Sequence, residues 1–222
     1  MTDLQGLQGL QRWLFTRLGE AVTVRATEAQ IGRLALALDP ADLPAMPEPG
    51  ALFLHRSHRL GDAFPALGVI ASHDGFDAAL TTGQNWPLAR ALGWQDVQPK
   101  TFDRAAGLFA TPPQHDWPGL LTALETEFGG HEATLEPLDW SVSRLAFMSA
   151  MRPELLSAVA GESVQVYVTG QMRPGALAHA RELGLGVIAL RHRRTELWGL
   201  RQLAYELGEA FPGLECTVYG EV

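Results

Sequence analysis

Cysteine is almost missing from this chain of 222 residues: Cys216 stands alone. A lone thiol excludes an internal disulfide and a cysteine-based zinc site, and it fits a reducing cytoplasm. Lysine is as scarce, since Lys100 is the only one and the other basic side chains are arginines. With 17 Lys+Arg against 25 Asp+Glu and a formal net charge of -8, no basic face suited to a nucleic-acid backbone or an anionic membrane emerges. Long apolar runs are missing too. Stretches such as 34–38 and 185–190 fall far below the roughly 18 residues of a membrane span, and no signal-peptide pattern is present. A Gly-x-Ser-x-Gly elbow is absent, which removes support for serine hydrolase chemistry. What the chain does have is apolar mass. Hydrophobic residues make up 46% of it, ample for a globular fold of one large domain or two small ones.

Leu4, Leu7, Leu10, Leu14 and Leu18 keep the spacing of an amphipathic helix. Short apolar runs predict strands at 34–38, 51–54, 68–71, 144–148, 164–168, 185–190 and 214–219, and helical patterns fall at 85–92, 117–128, 175–183 and 196–211. Four prolines within 39–50 predict a loop with at most one helical turn. Strands alternating with helices mean an α/β fold. The six tryptophans are scattered without interleaved basic residues and read as core packing.

An internal repeat organises these elements. Gly68-Val69-Ile70-Ala71 recurs as Gly186-Val187-Ile188-Ala189. Each copy leads to a histidine, His73 or His192, followed four residues later by an acid, Asp77 or Glu196. Each then runs into a helix with a similar ending, Leu88-Ala89-Arg90-Ala91-Leu92-Gly93 or Leu203-Ala204-Tyr205-Glu206-Leu207-Gly208. Upstream, the runs that begin at Leu34 and Ala51 find counterparts at Leu145 and Val166. The chain thus reads as two pseudo-symmetric α/β half-units, 1–94 and 141–222, joined by a connecting insert at 95–140 and facing one another across a central cleft.

His55, His73 and His192 all follow the carboxyl ends of predicted strands, where open α/β sheets collect ligands. An imidazole and a carboxylate four residues apart share one face of a first helical turn, and that donor set suits zinc, manganese or iron. His115, His131 and His179 lack such company and read as ordinary surface or structural residues. Gly83-Gln84-Asn85 lacks the phosphate-loop pattern and reads as a helix cap, with Asn85 near the first turn. Cys216 lies in a predicted strand as an inert buried thiol.

Four motifs occur in order along 34–218: Leu54-His55-Arg56-Ser57, Ser72-His73-Asp74-Gly75-Phe76-Asp77 with Gly83-Gln84-Asn85, Thr169-Gly170-Gln171, and Arg191-His192-Arg193-Arg194-Thr195-Glu196. This series resembles the NGG-one interacting factor three family, toroidal dinuclear-metal proteins often labelled GTP cyclohydrolase type two homologues. The resemblance implies that His55, Asp77, His192 and Glu196 are metal ligands, with Glu196 in the place of a bridging carboxylate. Arg56 falls where a second adjacent histidine belongs, and a guanidinium has no lone pair to give a metal. Gln171 likewise replaces an acid, and Arg191 a glycine. The expectation is therefore one divalent ion, with a ligand missing for a second. His58, three residues after His55, would point away from it in an extended strand.

The resemblance also implies a homo-oligomer, a hexameric ring of dimers, acting on a small molecule. The activity that follows is metal-assisted hydrolysis of a phosphorylated or nucleotide-like compound, with Arg56, Arg193 and Arg194 clamping the anion. The alternative is a non-catalytic ring-forming ligand-binding or scaffold protein with a decayed site, in which Arg56 pairs with Asp77 or Glu196.

Overall fold

The computed structural model describes residues 6–44, 50–103 and 105–220; the leucine expected to open the first helix, Leu4, lies outside them. Contacts divide the chain into two compact units, Met1–Asp77 with Leu197–Val222, and Ala78–Glu196. In the first, α1 (Gly6–Leu18) buries Leu7, Leu10, Leu14 and Leu18, as their spacing requires. Its sheet contains β1 (Val22–Arg25), β2 (Arg33–Ala37), β3 (Ala51–Leu54), β4 (Gly68–Ala71) and β11 (Glu215–Tyr219), in the order β1-β4-β3-β2-β11. Between β2 and β3 the proline-rich stretch makes a single 3-10 turn, Pro40–Asp42, capped by Asp39.

The sheet of the second unit contains β5 (Gln95–Phe102), β6 (Ala105–Thr111), β7 (Ala133–Leu135), β8 (Leu145–Met148), β9 (Val166–Thr169) and β10 (Gly186–Ala189), in the order β5-β6-β8-β9-β10-β7. Helices are α2 (Asp74–Leu80), α3 (Trp86–Ala91), α4 (Trp117–Phe128), α5 (Pro153–Ala160), α6 (Pro174–Glu182) and α7 (His192–Ala210). Among the described residues no helix is long and apolar enough to cross a membrane.

The repeat is real at the level of register. β2, β3 and β4 are parallel, with Leu34 facing Ala51 and Ala51 facing Gly68. β8, β9 and β10 are parallel, with Leu145 facing Val166 and Val166 facing Gly186. These are the positions that the sequence comparison pairs. Each trio is flanked by an antiparallel edge strand that precedes it in the chain, β1 on β4 and β7 on β10. The fold is α/β with two such half-units. Full burial of β3, β4, β8, β9 and β10 explains their unbroken apolar runs.

Outside this shared core the sheets differ, and sequence order misleads. β11 continues the first sheet on the free edge of β2. The segment 95–140, expected as a connecting insert, supplies the β5–β6 hairpin that covers the edge of β8, together with α4 and β7. An open edge left by either core trio invites pairing, and it is covered by β11 in the first unit and by β6 in the second. The C-terminal part of α7 joins the first unit through Arg17, whose Nε lies 2.5 Å from Glu206 Oε2, and through an edge-on contact of Trp13 with Phe211. Trp94, Trp117 and Trp198 are buried as expected, whereas Trp86 and Trp140 are exposed.

Candidate metal centre

The carboxyl ends of β3 and β4 carry the chemistry of the first unit. His55 follows β3, fully enclosed at 1% exposure. Its ring lies between two others: it stacks on His73 with centroids 4.5 Å apart and touches Phe76 at 5.0 Å. Nδ1 stands 3.2 Å from the Ser72 carbonyl oxygen. A carbonyl only accepts, so in the neutral ring the proton sits on Nδ1 and Nε2 keeps its lone pair. That Nε2 lies 3.6 Å from Asp77 Oδ1, which the first turn of α2 presents. Potential ligand atoms of His55, His73 and Asp77 all fall within 4.8 Å of one another, so this group could hold a metal ion.

The geometry suits a small cation. A tetrahedral ion with bonds of about 2.0–2.2 Å spaces its ligand atoms roughly 3.3–3.6 Å apart, and the His55–Asp77 pair stands at 3.6 Å. The sequence places His55 and Asp77 in the ligand set and His73 beside it; the structure brings all three together. Arg56 finds a carboxylate in Asp39, with Nε 4.0 Å from Oδ2, and Arg59 approaches the same oxygen at 3.7 Å. His58 is exposed in the turn that follows and is not a member of the group.

One residue that organises this loop escapes sequence reasoning. Glu20 Oε2 accepts from Ser72 Oγ at 3.3 Å, from the His73 amide at 3.0 Å and from the Gly75 amide at 2.8 Å. A carboxylate there also complements the first turn of α2. Gly75 is needed for the approach, because a Cβ at this position would lie 2.5 Å from the Leu18 carbonyl and 2.8 Å from Glu20 Cβ. Removing the carboxylate leaves three donors without their acceptor. Glu20→Ala is expected to cost about 2 kcal/mol in chemical unfolding and to weaken metal binding about tenfold through the displaced loop. Glu20→Gln, which keeps one acceptor oxygen, should lose less of both.

The second unit holds the other predicted pair. His192 opens α7, and its Nε2 lies 3.2 Å from Oε1 of Glu196 one turn on; the imidazole is half exposed and the carboxylate is 1% exposed. The four-residue spacing brings the two groups together across one helical turn. Arg191, in the place of a glycine, has φ of 72°, a left-handed conformation that costs a side chain roughly 1 kcal/mol or more. Arg191→Gly should therefore be more stable than Arg191→Ala by about 1 kcal/mol in paired unfolding curves.

Arg194, expected to clamp an anion, is turned instead to the end of α4, where Nη1 donates to the carbonyls of Gly129 and Phe128. Those carbonyls have no partner within their own helix, which is why a cation settles there. Arg193 is half-buried in the first turn of α7, and Gln171 is exposed just past β9. Asn85 caps α3 as expected: Oδ1 accepts from the Leu88 amide at 3.0 Å. His131 and His179 pair with Glu125 and Glu182. Cys216 is half-buried in β11, and burial pushes its thiol up to about 11, consistent with an inert residue.

A family model described as Duf34/NIF3 (NGG1p interacting factor 3) matches residues 65–221. A "GTP cyclohydrolase 1 type 2 homolog" of Chlamydia trachomatis serovar D is 30% identical over 163 residues, 69% of this chain and 61% of the relative. The chain therefore spans less than two thirds of that relative's length. Two solved structures share the fold: the protein ybgI, described as of unknown function, with a TM-score of 0.76 at 17% identity, covering 95% of this chain and 96% of that one; and TTHA1606 of Thermus thermophilus, with a TM-score of 0.74 at 21% identity, covering 97% and 98%.

Proposed function

Because the chain belongs to the Duf34/NIF3 (NGG1p interacting factor 3) family, we propose that it binds one divalent cation on His55, Asp77 and His73 and hydrolyses a small phosphorylated or nucleotide-like compound. The observation that carries this reading is the convergence of two imidazoles and a carboxylate within 4.8 Å, with the tautomer of His55 set by the Ser72 carbonyl. Nitrogen and oxygen donors without thiolate suit zinc, manganese or iron.

A cation held there supplies Lewis acidity, which acidifies water and offsets charge on a phosphoryl oxygen. The side chains of the chain do the rest. His55 presents Nε2 from an enclosed position, with the rings of Phe76 and His73 packed against its own. Asp77 brings the negative charge that favours a cation over neutral solvent. His73 is 54% exposed at its side chain, with Nδ1 2.9 Å from Asp74 Oδ1. That pairing places the proton on Nδ1, orients the ring and leaves the lone pair of its other nitrogen to the cation. The assembly belonging to this reading is a homo-oligomeric ring of dimers, which light scattering of the purified protein would measure.

The test is turnover of a generic phosphomonoester by protein loaded with manganese, zinc or iron. Activity that disappears with chelator and in Asp77→Ala supports hydrolysis. Metal binding without turnover of any phosphoester would contradict it and favour a ligand-binding or scaffold protein.

A further inference from the structure

A chain of three polar side chains in the second unit lies apart from the cation group and from every motif that carries the family resemblance. It joins α5 to α6. The two helices are neighbours, and they sink Leu155, Leu156 and Val159 of the one and Ala176 and Ala180 of the other into a single apolar core. At the rim of that core each helix turns a polar group toward the other. Ser157, exposed on α5, has its Oγ 2.7 Å from Nε2 of His179 on α6. Nδ1 of the same ring lies 3.3 Å from Oε2 of Glu182.

The chemistry of these groups orders the protons along the chain. An ionised Glu182 only accepts, so Nδ1 carries the proton of the neutral ring and Nε2 keeps its lone pair, which receives the Ser157 hydroxyl. That direction is unusual for a helix. Helical hydroxyls bond back to a carbonyl of the preceding turn, and here Thr16 does so to Arg12, Thr126 to Thr122 and Thr195 to His192. Ser157 gives its proton to an imidazole instead. A serine that donates to a histidine oriented by a carboxylate is the arrangement that activates a hydroxyl as a nucleophile, and it is defined by roles and distances rather than by sequence position. The missing Gly-x-Ser-x-Gly elbow does not bear on it, because that motif belongs to one strand-turn-helix setting.

We propose that Ser157 is a metal-independent nucleophile that accepts the acyl group of a small uncharged aryl ester. Oγ bonds to the ester carbonyl carbon as its proton passes to Nε2 of His179; the bond from that carbon to the aryl oxygen then breaks, and the phenol departs with the proton. Water, deprotonated by the same nitrogen, attacks the acyl carbon. The carboxylic acid leaves and the proton returns to Oγ. Glu182 touches neither ester nor serine and is a positioning residue, which holds the ring in the required tautomer. Ser157 is open to solvent, so water solvates the oxyanion and the ester needs a good leaving group. Glu154, three residues before Ser157 on the same helix, and Glu182 bring negative charge that disfavours a phosphate. Arg181 stands two residues from His179, a spacing that does not share a helix face.

Two probes on chelator-treated protein test it: hydrolysis of 4-nitrophenyl acetate, and labelling by an alkyl phosphonofluoridate, whose fluoride Oγ displaces irreversibly, followed by peptide mass spectrometry. Stoichiometric modification at Ser157 and ester hydrolysis without metal are expected. Ser157→Ala should abolish both. His179→Gln should slow labelling about a hundredfold. Glu182→Gln should slow it severalfold, because a carboxylate 74% exposed is largely screened. It should lower the limiting rate and leave the probe concentration for half-maximal rate unmoved, a split that a merely loosened helix pair does not produce. Melting curves of the three variants, compared with the native one, separate lost chemistry from lost folding. Absence of label at Ser157 would overturn the proposal, as would labelling of folded His179→Gln at the native rate. Ester hydrolysis that stops with chelator and persists in Ser157→Ala would overturn it too, while leaving the cation reading intact.

Discussion

Asp77→Ala is expected to lower the affinity for manganese, zinc or iron by about a hundredfold or more, the scale on which even outer partners of a metal site can act. Asp77 supplies the one carboxylate of the group formed with His55 and His73. Two neutral imidazoles alone offer a cation less charge and fewer donors. The stability cost should be small, because the side chain is 28% exposed and stands on a helix start that Glu20 already anchors. Binding and folding therefore separate in this variant: an unchanged melting curve with lost metal affinity is the expected pair of results. Retained affinity would mean that the cation sits elsewhere.

Phe76→Ala should be the most damaging single change to the first unit. Phe76 is 0% exposed; its ring lies 5.9 Å from that of Phe53 and 5.0 Å from that of His55. Truncating a buried phenylalanine costs about 3–5 kcal/mol, partly transfer and partly the cavity left behind. In a chain of this size each kcal/mol shifts the melting temperature by about 2–4 °C, so a fall of about 10 °C or more is expected. The same cavity frees the His55 ring to tilt, and metal binding should weaken in the variant even below its melting temperature. Phe76→Leu, which fills most of the space, should recover much of the stability.

The repeat is legible in the sequence because its central strands are buried on both faces and spell unbroken apolar runs, Gly68–Ala71 and Gly186–Ala189 alike. Edge strands carry no such signal. Val22–Arg25 is exposed or half-exposed throughout, and Gln95–Phe102 is polar and holds Pro99, a residue that an edge tolerates and a central strand does not. The last strand misleads for a related reason: Glu215–Tyr219 looks like one more strand of the second half, and only its pairing with Arg33–Ala37 reveals its sheet.

Near the candidate site, local signals are what the sequence offers. Strand ends and the four-residue spacing single out His55 and the pairs His73/Asp77 and His192/Glu196, and His55, His73 and Asp77 lie together in the structure. Glu20 lies more than fifty residues before the amides that it holds, at His73 and Gly75, and nothing in its own neighbourhood marks it. Arg194 carries the opposite lesson. A guanidinium beside a histidine reads as an anion clamp, but the carbonyls at the end of α4 claim it first.

Metal content per chain decides the matter most directly. The protein would be purified without chelator, soaked separately in manganese, iron and zinc, washed and counted by elemental mass spectrometry, alongside Asp77→Ala and His55→Ala. About one ion per native chain, lost in both variants while their circular dichroism is unchanged, is the predicted result. A native chain that stays metal-free in every soak, or variants that keep a full complement of metal, would contradict it.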